Sequence, residues 1–165
     1  MRYLVSCAAV LGALVLPMPA HAAGSGAKLL WATVNLCDTA AAPDTVGVRA
    51  SMPGNGTRQR LYMRFEAQWF DERRHRFVAS GSSSRWIHVG SARFRSTQSG
   101  FTFGFGPPPA GTEFKLRGLV SFEWRGRRDG RQVVVRRESR VTRGGIAGVE
   151  GGDPPGTSKA TCVIR

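Results

Sequence analysis

Two stretches of this chain alternate apolar and polar residues almost without interruption. Leu61, Met63, Phe65, Ala67 and Trp69 are separated by Tyr62, Arg64, Glu66 and Gln68. Phe114, Leu116, Gly118, Val120, Phe122 and Trp124 alternate with Lys115, Arg117, Leu119, Ser121 and Glu123. A period of two puts successive side chains on opposite faces of a strand, so each segment predicts a strand with one face on a core and the other in solvent. Shorter β-rich pieces fill the rest: Leu29 to Leu36, Thr45 to Met52, Trp86 to Val89, Ala92 to Ser96, Gly100 to Phe105, Gln132 to Thr142 and Ala160 to Ile164. In the second of these, Val46, Val48, Ala50 and Met52 share a face. Phe101, Phe103 and Phe105 share another, which is expected to point inward. No segment carries an apolar stripe at helical spacing over a useful length.

The connections fit the same picture. Pro53-Gly54-Asn55-Gly56 reads as a turn, and Asp129-Gly130 is a strong signal for a two-residue hairpin. Folding the chain about that hairpin sets Trp124 opposite Val135, Glu123 opposite Arg136 and Phe122 opposite Arg137. The first two pairings suit cross-strand energetics and the third does not. Ser80 to Ser84 and Pro107 to Pro109 read as loops, and Gly144 to Pro155, rich in Gly and Pro, as irregular chain. Short strands separated by turns at this spacing predict an all-β sandwich.

The N-terminus stands apart from this pattern. Arg2 is followed by a nearly continuous apolar run from Leu4 to Leu16, then by Pro17 and Pro19 and the small-residue motif Ala20-His21-Ala22. This is the pattern of a cleaved secretory signal peptide, residues 1–22, with cleavage after Ala22. The run is too short for a membrane span, and Cys7 precedes most of it, which argues against a lipid anchor. The domain is then expected over residues 28–165, with no membrane span after processing. Processing leaves two of the three cysteines, Cys37 and Cys162, and an even pair in an exported chain predicts a disulfide. It would close a loop of about 125 residues, which on the chain-entropy model contributes about 4–5 kcal/mol.

Taken together, the leader, the seven or so strands, Trp69 on a central strand and the absence of helices resemble secreted immunoglobulin-like or fibronectin type III-like domains. Through LWATVNLCDT, PDTVGVRASMPG and DPPGTSKATC the chain is similar to exported proteins of high-GC bacteria. The resemblance implies a single immunoglobulin-like antiparallel β-sandwich of about seven to nine strands, with a binding or structural role. The chain departs from that pattern in two places. Its cysteines lie near the two ends of the domain, and Phe114 stands where a corner tyrosine would be.

Charge narrows the function further. There are 24 Lys+Arg against 11 Asp+Glu in 165 residues, a net charge of +13, and only Lys28, Lys115 and Lys159 are lysines. Coding bias toward arginine accounts for part of this; an anion-binding surface is the other reading. Two clusters stand out. Arg73, Arg74 and Arg76 share a turn, while Arg125, Arg127, Arg128, Arg131 and Arg136 surround the Asp129-Gly130 hairpin, with Arg137, Arg140 and Arg143 following. The hairpin residues are the candidate anion-binding set, because a guanidinium offers planar, bidentate recognition of phosphate or carboxylate. The two clusters are expected at opposite ends of the sandwich. Charged turns also keep sheet edges from pairing with other chains.

Catalytic constellations are sparse. The processed chain holds only His75 and His88, and it lacks a zinc-protease helix, a nucleophile elbow and a phosphate-binding loop. Asp38, Asp44, Asp129 and Asp153 form no calcium-loop spacing, and no metal or other cofactor is expected. The sequence therefore points to an exported, disulfide-tied binding or structural module of the cell envelope or extracellular space, with no catalytic activity expected. Its partner would be an anionic envelope polymer or a protein, with no specific nucleic acid. The alternatives are an extracellular polyanion-binding protein using the arginine-rich hairpin, and a secreted enzyme whose site is assembled only in space.

Overall fold

The computed structural model describes residues 28–165, and the expected leader with its cleavage site lies outside the described residues. Nine strands follow one another: β1 (Trp31–Thr39), β2 (Ala42–Pro53), β3 (Arg60–Asp71), β4 (Arg76–Ser83), β5 (Ile87–Ser91), β6 (Ser96–Gly104), β7 (Phe114–Arg128), β8 (Arg131–Val141) and β9 (Cys162–Ile164). One sheet has the order β1-β2-β6. The other runs β4-β3-β7-β8, with β5 also pairing β3 and β9 also pairing β7, and all ladders are antiparallel. The result is an all-β sandwich. The chain thus divides between β1, β2 and β6 in one sheet and β3, β4, β5, β7, β8 and β9 in the other.

The alternation read from the sequence builds the core. Leu61, Met63, Phe65 and Ala67 of β3 and Leu116, Val120, Phe122 and Trp124 of β7 face Val46, Val48, Ala50 and Met52 of β2. Phe103 is buried with them, and Phe101 and Phe105 pack against the same cluster. At Gly118 a Cβ would sit 2.7 Å from a methyl of Val48 and 2.9 Å from that of Thr142. The absence of a side chain is what lets β2 approach β7 there. At the other end of the core, the Trp124 indole Nε1 donates to the Pro53 carbonyl at 3.0 Å, tying β7 to the end of β2.

Cys37 and Cys162 form the expected disulfide, which links β1 of one sheet to β9 of the other. The irregular segment before β9 lies along β1, with Lys159 bridging Val34 and Asp153 bridging Leu36. Around the disulfide, Asp38 Oδ1 accepts from the Asp44 amide at 2.8 Å and Asp153 Oδ2 from the Thr39 hydroxyl at 2.9 Å. These aspartates hold turns together, as short acidic side chains do in loops.

Four expectations are corrected. Ser80 to Ser83 belong to strand β4 and are not a loop. Its second half, Ser80-Gly81-Ser82-Ser83, is polar on both faces and shows no alternation; this half bulges from the ladder opposite Ala67 of β3, with Ser80 Oγ donating to the Ala67 carbonyl at 2.8 Å. Ala92 to Arg95 form a turn between β5 and β6, anchored by buried Ala92, whose carbonyl accepts from the Asn55 and Gly56 amides. Trp69 does lie on a central strand, β3, but near its end and 43% exposed, so the inward-facing alternation stops at Ala67; the buried tryptophan of this sheet is Trp124 on β7. The hairpin register is displaced by one residue: Trp124 faces Arg136, Glu123 faces Arg137 and Phe122 faces Glu138, because Val135 is taken up in a bulge.

Two stability outcomes follow from this construction. Replacing Cys37 and Cys162 together by Ser is expected to lower the unfolding free energy by about 4–5 kcal/mol, read from denaturant midpoints. A loss below about 1 kcal/mol would show that the segment across β1 closes the sandwich without the covalent tie. Gly118→Ala is expected to cost about 1–3 kcal/mol by forcing the two sheets apart.

Candidate anion-binding site

The site is built on the β7–β8 hairpin. Asp129 and Gly130 have φ of 49° and 75°, the left-handed pair that a two-residue hairpin turn requires. The first pair of the β3–β7 ladder is Arg60 with Arg125, so the hairpin from Gly126 onward projects past the start of β3.

At the root of this projection Glu123 lies on the outer face of the sheet, yet its side chain is only 1% exposed. Two guanidiniums bury it. Arg125 donates from Nε to Oε2 at 2.6 Å, with its Nη2 in ion-pair contact at the same distance, and Arg137 donates to Oε1 from Nε at 2.8 Å and from Nη2. A carboxylate taken out of water is tolerated only when both oxygens are satisfied by charge-assisted bonds, and here both are. Arg125 is further held by aromatic faces, its guanidinium carbon 4.0 Å from the Tyr62 ring centroid and 5.2 Å from that of Trp86. The Tyr62 phenol is held below its ordinary pKa of 10.0, chiefly by the hydrogen bond from the Gln132 amide at 3.3 Å, with burial opposing and the charges of Arg60 and Arg125 assisting.

Beside this clamp are two adjoining clefts. The larger, about 630 Å³, is lined by Arg58, Arg60, Arg125 and Arg127 together with Gln132 and Val135. The smaller, about 300 Å³, shares Arg58 and Arg60 and adds His88 and Arg93. No carboxylate lines either cleft. Arg58, Arg60, Arg93 and Arg127 are exposed and make no ion pair among the described residues. Such a concentration of one charge sign in a concave surface focuses the field and raises the local concentration of anions.

The candidate residues from the sequence divide accordingly. Arg125 and Arg127 line the larger cleft. Arg128 and Arg131 pair with each other at the hairpin tip and are not part of either lining. Arg136 lies over the Trp124 ring at 4.5 Å and bonds Glu138, so it is spent on the hairpin itself. Arg58, Arg60 and Arg93 were not singled out by sequence reasoning, since they come from the β2–β3 loop, the start of β3 and the β5–β6 turn. One signal was available: antiparallel pairing of the two alternating strands places Arg60 beside Arg125. The other basic turn, with Arg73, Arg74 and Arg76, lies at the opposite end of β3, where Arg74 pairs with Asp71 at 3.4 Å.

Glu123→Ala leaves Arg125 and Arg137 without their shared counter-ion. It is expected to cost about 3 kcal/mol in a denaturant titration. It should also move the tyrosinate absorbance of Tyr62 toward lower pH, because the neighbouring guanidinium charge is no longer neutralised. Compared with protein-family models and with curated proteins, the chain matches none.

Proposed function

We propose that this chain is an exported binding module that holds an anionic polymer of the cell envelope or extracellular space in the arginine-lined clefts at the hairpin end of the sandwich. The disulfide is compatible with an oxidising compartment outside the cytoplasm. The observation that carries the reading is the separation of arginines into two populations. Arg125, Arg136, Arg137 and Arg140 are consumed by Glu123 and Glu138, whereas Arg58, Arg60, Arg93 and Arg127 converge on concave surface with no acid in its lining. Such a surface gains little by folding this way, since like charges repel, and it gains a great deal from an anion that neutralises them.

Co-sedimentation of the processed domain with isolated cell-wall material across a salt series tests this. The triple variant Arg58→Gln, Arg60→Gln, Arg127→Gln is expected to lose retention at about 0.15 M salt, where surface charges are already screened beyond about 8 Å. Its log-affinity against log-salt slope should fall by about 2–3 relative to the parent chain. The control variant Arg128→Gln, Arg131→Gln, Arg136→Gln removes as many charges from the same hairpin region and should retain most of the binding. Equal losses in the two variants would show that net charge, and not the clefts, holds the polymer. No retention of the parent chain would overturn the reading.

A further inference from the structure

The proposed function leaves open which kind of anion the clefts take, and the arrangement of strands beneath them constrains it. On that reading, we propose that the ligand is a linear polyanion without nucleobases, carrying closely spaced phosphate- or sulfate-like charges. It would lie across the strands of the larger sheet from Arg93 to Arg127 and occupy both clefts at once.

Direction and length come from the ladders. Ser91 of β5 pairs with Arg60 of β3, Arg60 with Arg125 of β7, and Arg125 with Val134 of β8. The basic groups therefore succeed one another perpendicular to the strands. Neighbouring strands lie about 4.8 Å apart, so the path from β5 to the β8 wall of the larger cleft, at Gln132 and Val135, spans about 15 Å. Arg58 and Arg60 belong to both clefts and form the ridge between them. A small anion fills one cleft only; a chain crossing the ridge engages both, and its second contact is intramolecular.

Sequence-tolerant binding of single-stranded nucleic acid relies on aromatic faces open to successive bases. Neither cleft has Phe, Tyr or Trp in its lining. Tyr62 and Trp86 lie beneath the Arg125 guanidinium, and Tyr62 is also packed on His88, ring centroids 5.1 Å apart. The rings hold an arginine in place and leave guanidiniums and amide groups at the surface. That suits a chain of tetrahedral anions, which are recognised by forked hydrogen bonds and not by stacking.

The test uses linear inorganic polyphosphates of defined length, with calorimetric affinities for the processed domain. Affinity is expected to rise by at least about tenfold once the chain exceeds about 15 Å, and to level off soon after. Arg93→Gln should remove that gain, because it takes from the smaller cleft the one guanidinium that it does not share with the larger. A single-stranded oligodeoxynucleotide and its abasic counterpart should bind alike. As a readout on the unmutated protein, the tyrosinate absorbance of Tyr62 should move to higher pH when long polyphosphate is bound, since an anion beside the phenol opposes its ionisation. An affinity that climbs steadily with charge and shows no step, or a step that survives Arg93→Gln, overturns the bridged path while leaving the clefts as an anion site. A fivefold or greater advantage of the oligonucleotide over its abasic form, about the weight of one stacked base, overturns the exclusion of nucleobases. If no polyphosphate binds and the cell-wall material is not retained either, both this inference and the proposed function fall.

Discussion

A single buried carboxylate organises the hairpin end of this molecule. Glu123 sits on the side of the sheet that strand alternation assigns to solvent, and it is kept from solvent by Arg125 and Arg137. Burying an ion pair is costly, and an apolar replacement of the whole group could be as stable or more so. What the ionic version adds is discrimination. Arg137 reaches Glu123 only in the register that takes Val135 into a bulge, so the carboxylate favours one alignment of β8 along β7. The register set by simple pairing would have placed Arg136 there and left Trp124 opposite Val135. In the observed alignment Arg136 covers the Trp124 ring instead, and the Trp124 indole remains bonded to Pro53. The position of Arg125 over Tyr62 and Trp86, and with it one wall of the larger cleft, depends on the same carboxylate.

The two ends of the sandwich divide the work. Cys37, Cys162, Asp38, Asp44 and Asp153 lie at the end where β1 turns into β2, and Asp71, Glu72 and Glu113 lie beside the turns at the far end of β3 and the start of β7. That end is covalently closed, and the arginines of its basic turn are mixed with carboxylates, Arg74 pairing with Asp71. The hairpin end is closed by a tryptophan hydrogen bond and is rich in free guanidiniums. Loops clustered at one end of a β-sandwich are held rigidly by the sheets beneath them. Here the loop before β3, carrying Arg58, and the β7–β8 hairpin, carrying Arg127, are neighbours at one end in the same way.

Much of the scaffold was legible from residue pattern. The β3 and β7 strands could be read because each has one dry and one wet face, and that asymmetry is written as alternation. Asp129-Gly130 could be read because few residue pairs tolerate two consecutive positive φ angles. The second half of strand β4 was hidden for the opposite reason: Ser80-Gly81-Ser82-Ser83 has no dry face, and where it bulges from the ladder it is held by a hydroxyl bond to Ala67 of β3. The bulge at Val135 was hidden as well, since Val134 and Val135 are both exposed and carry no inward signal. The site was half legible. Clustering in sequence brought out Arg125 and Arg127 but equally Arg128, Arg131 and Arg136, which the fold uses otherwise. Arg58 and Arg93 join the clefts through tertiary packing of separate loops, for which spacing along the chain carries no trace.

The abundance of arginine and its placement are separate questions, and only placement bears on function. A coding bias toward arginine raises the count everywhere, without regard to which side chains meet after folding. It would leave cations near acids as often as chance allows, and an unpaired exposed arginine costs a folded domain little. Along β8 the surplus has a protective use: Arg136, Arg137 and Arg140 stud an edge strand that also exposes Val134, Val135 and Val141, and a charged edge resists pairing with another chain. That purpose needs no concavity and no absence of acids, and it is served by arginines that carry partners of their own. The smaller cleft, beyond the ridge of Arg58 and Arg60, has both features, and it lies away from the β8 edge, on the β5 and β3 side of the sheet. Edge protection therefore accounts for the arginines of β8 and leaves Arg58, Arg60 and Arg93 unexplained, whereas an anionic ligand accounts for those three together with Arg127.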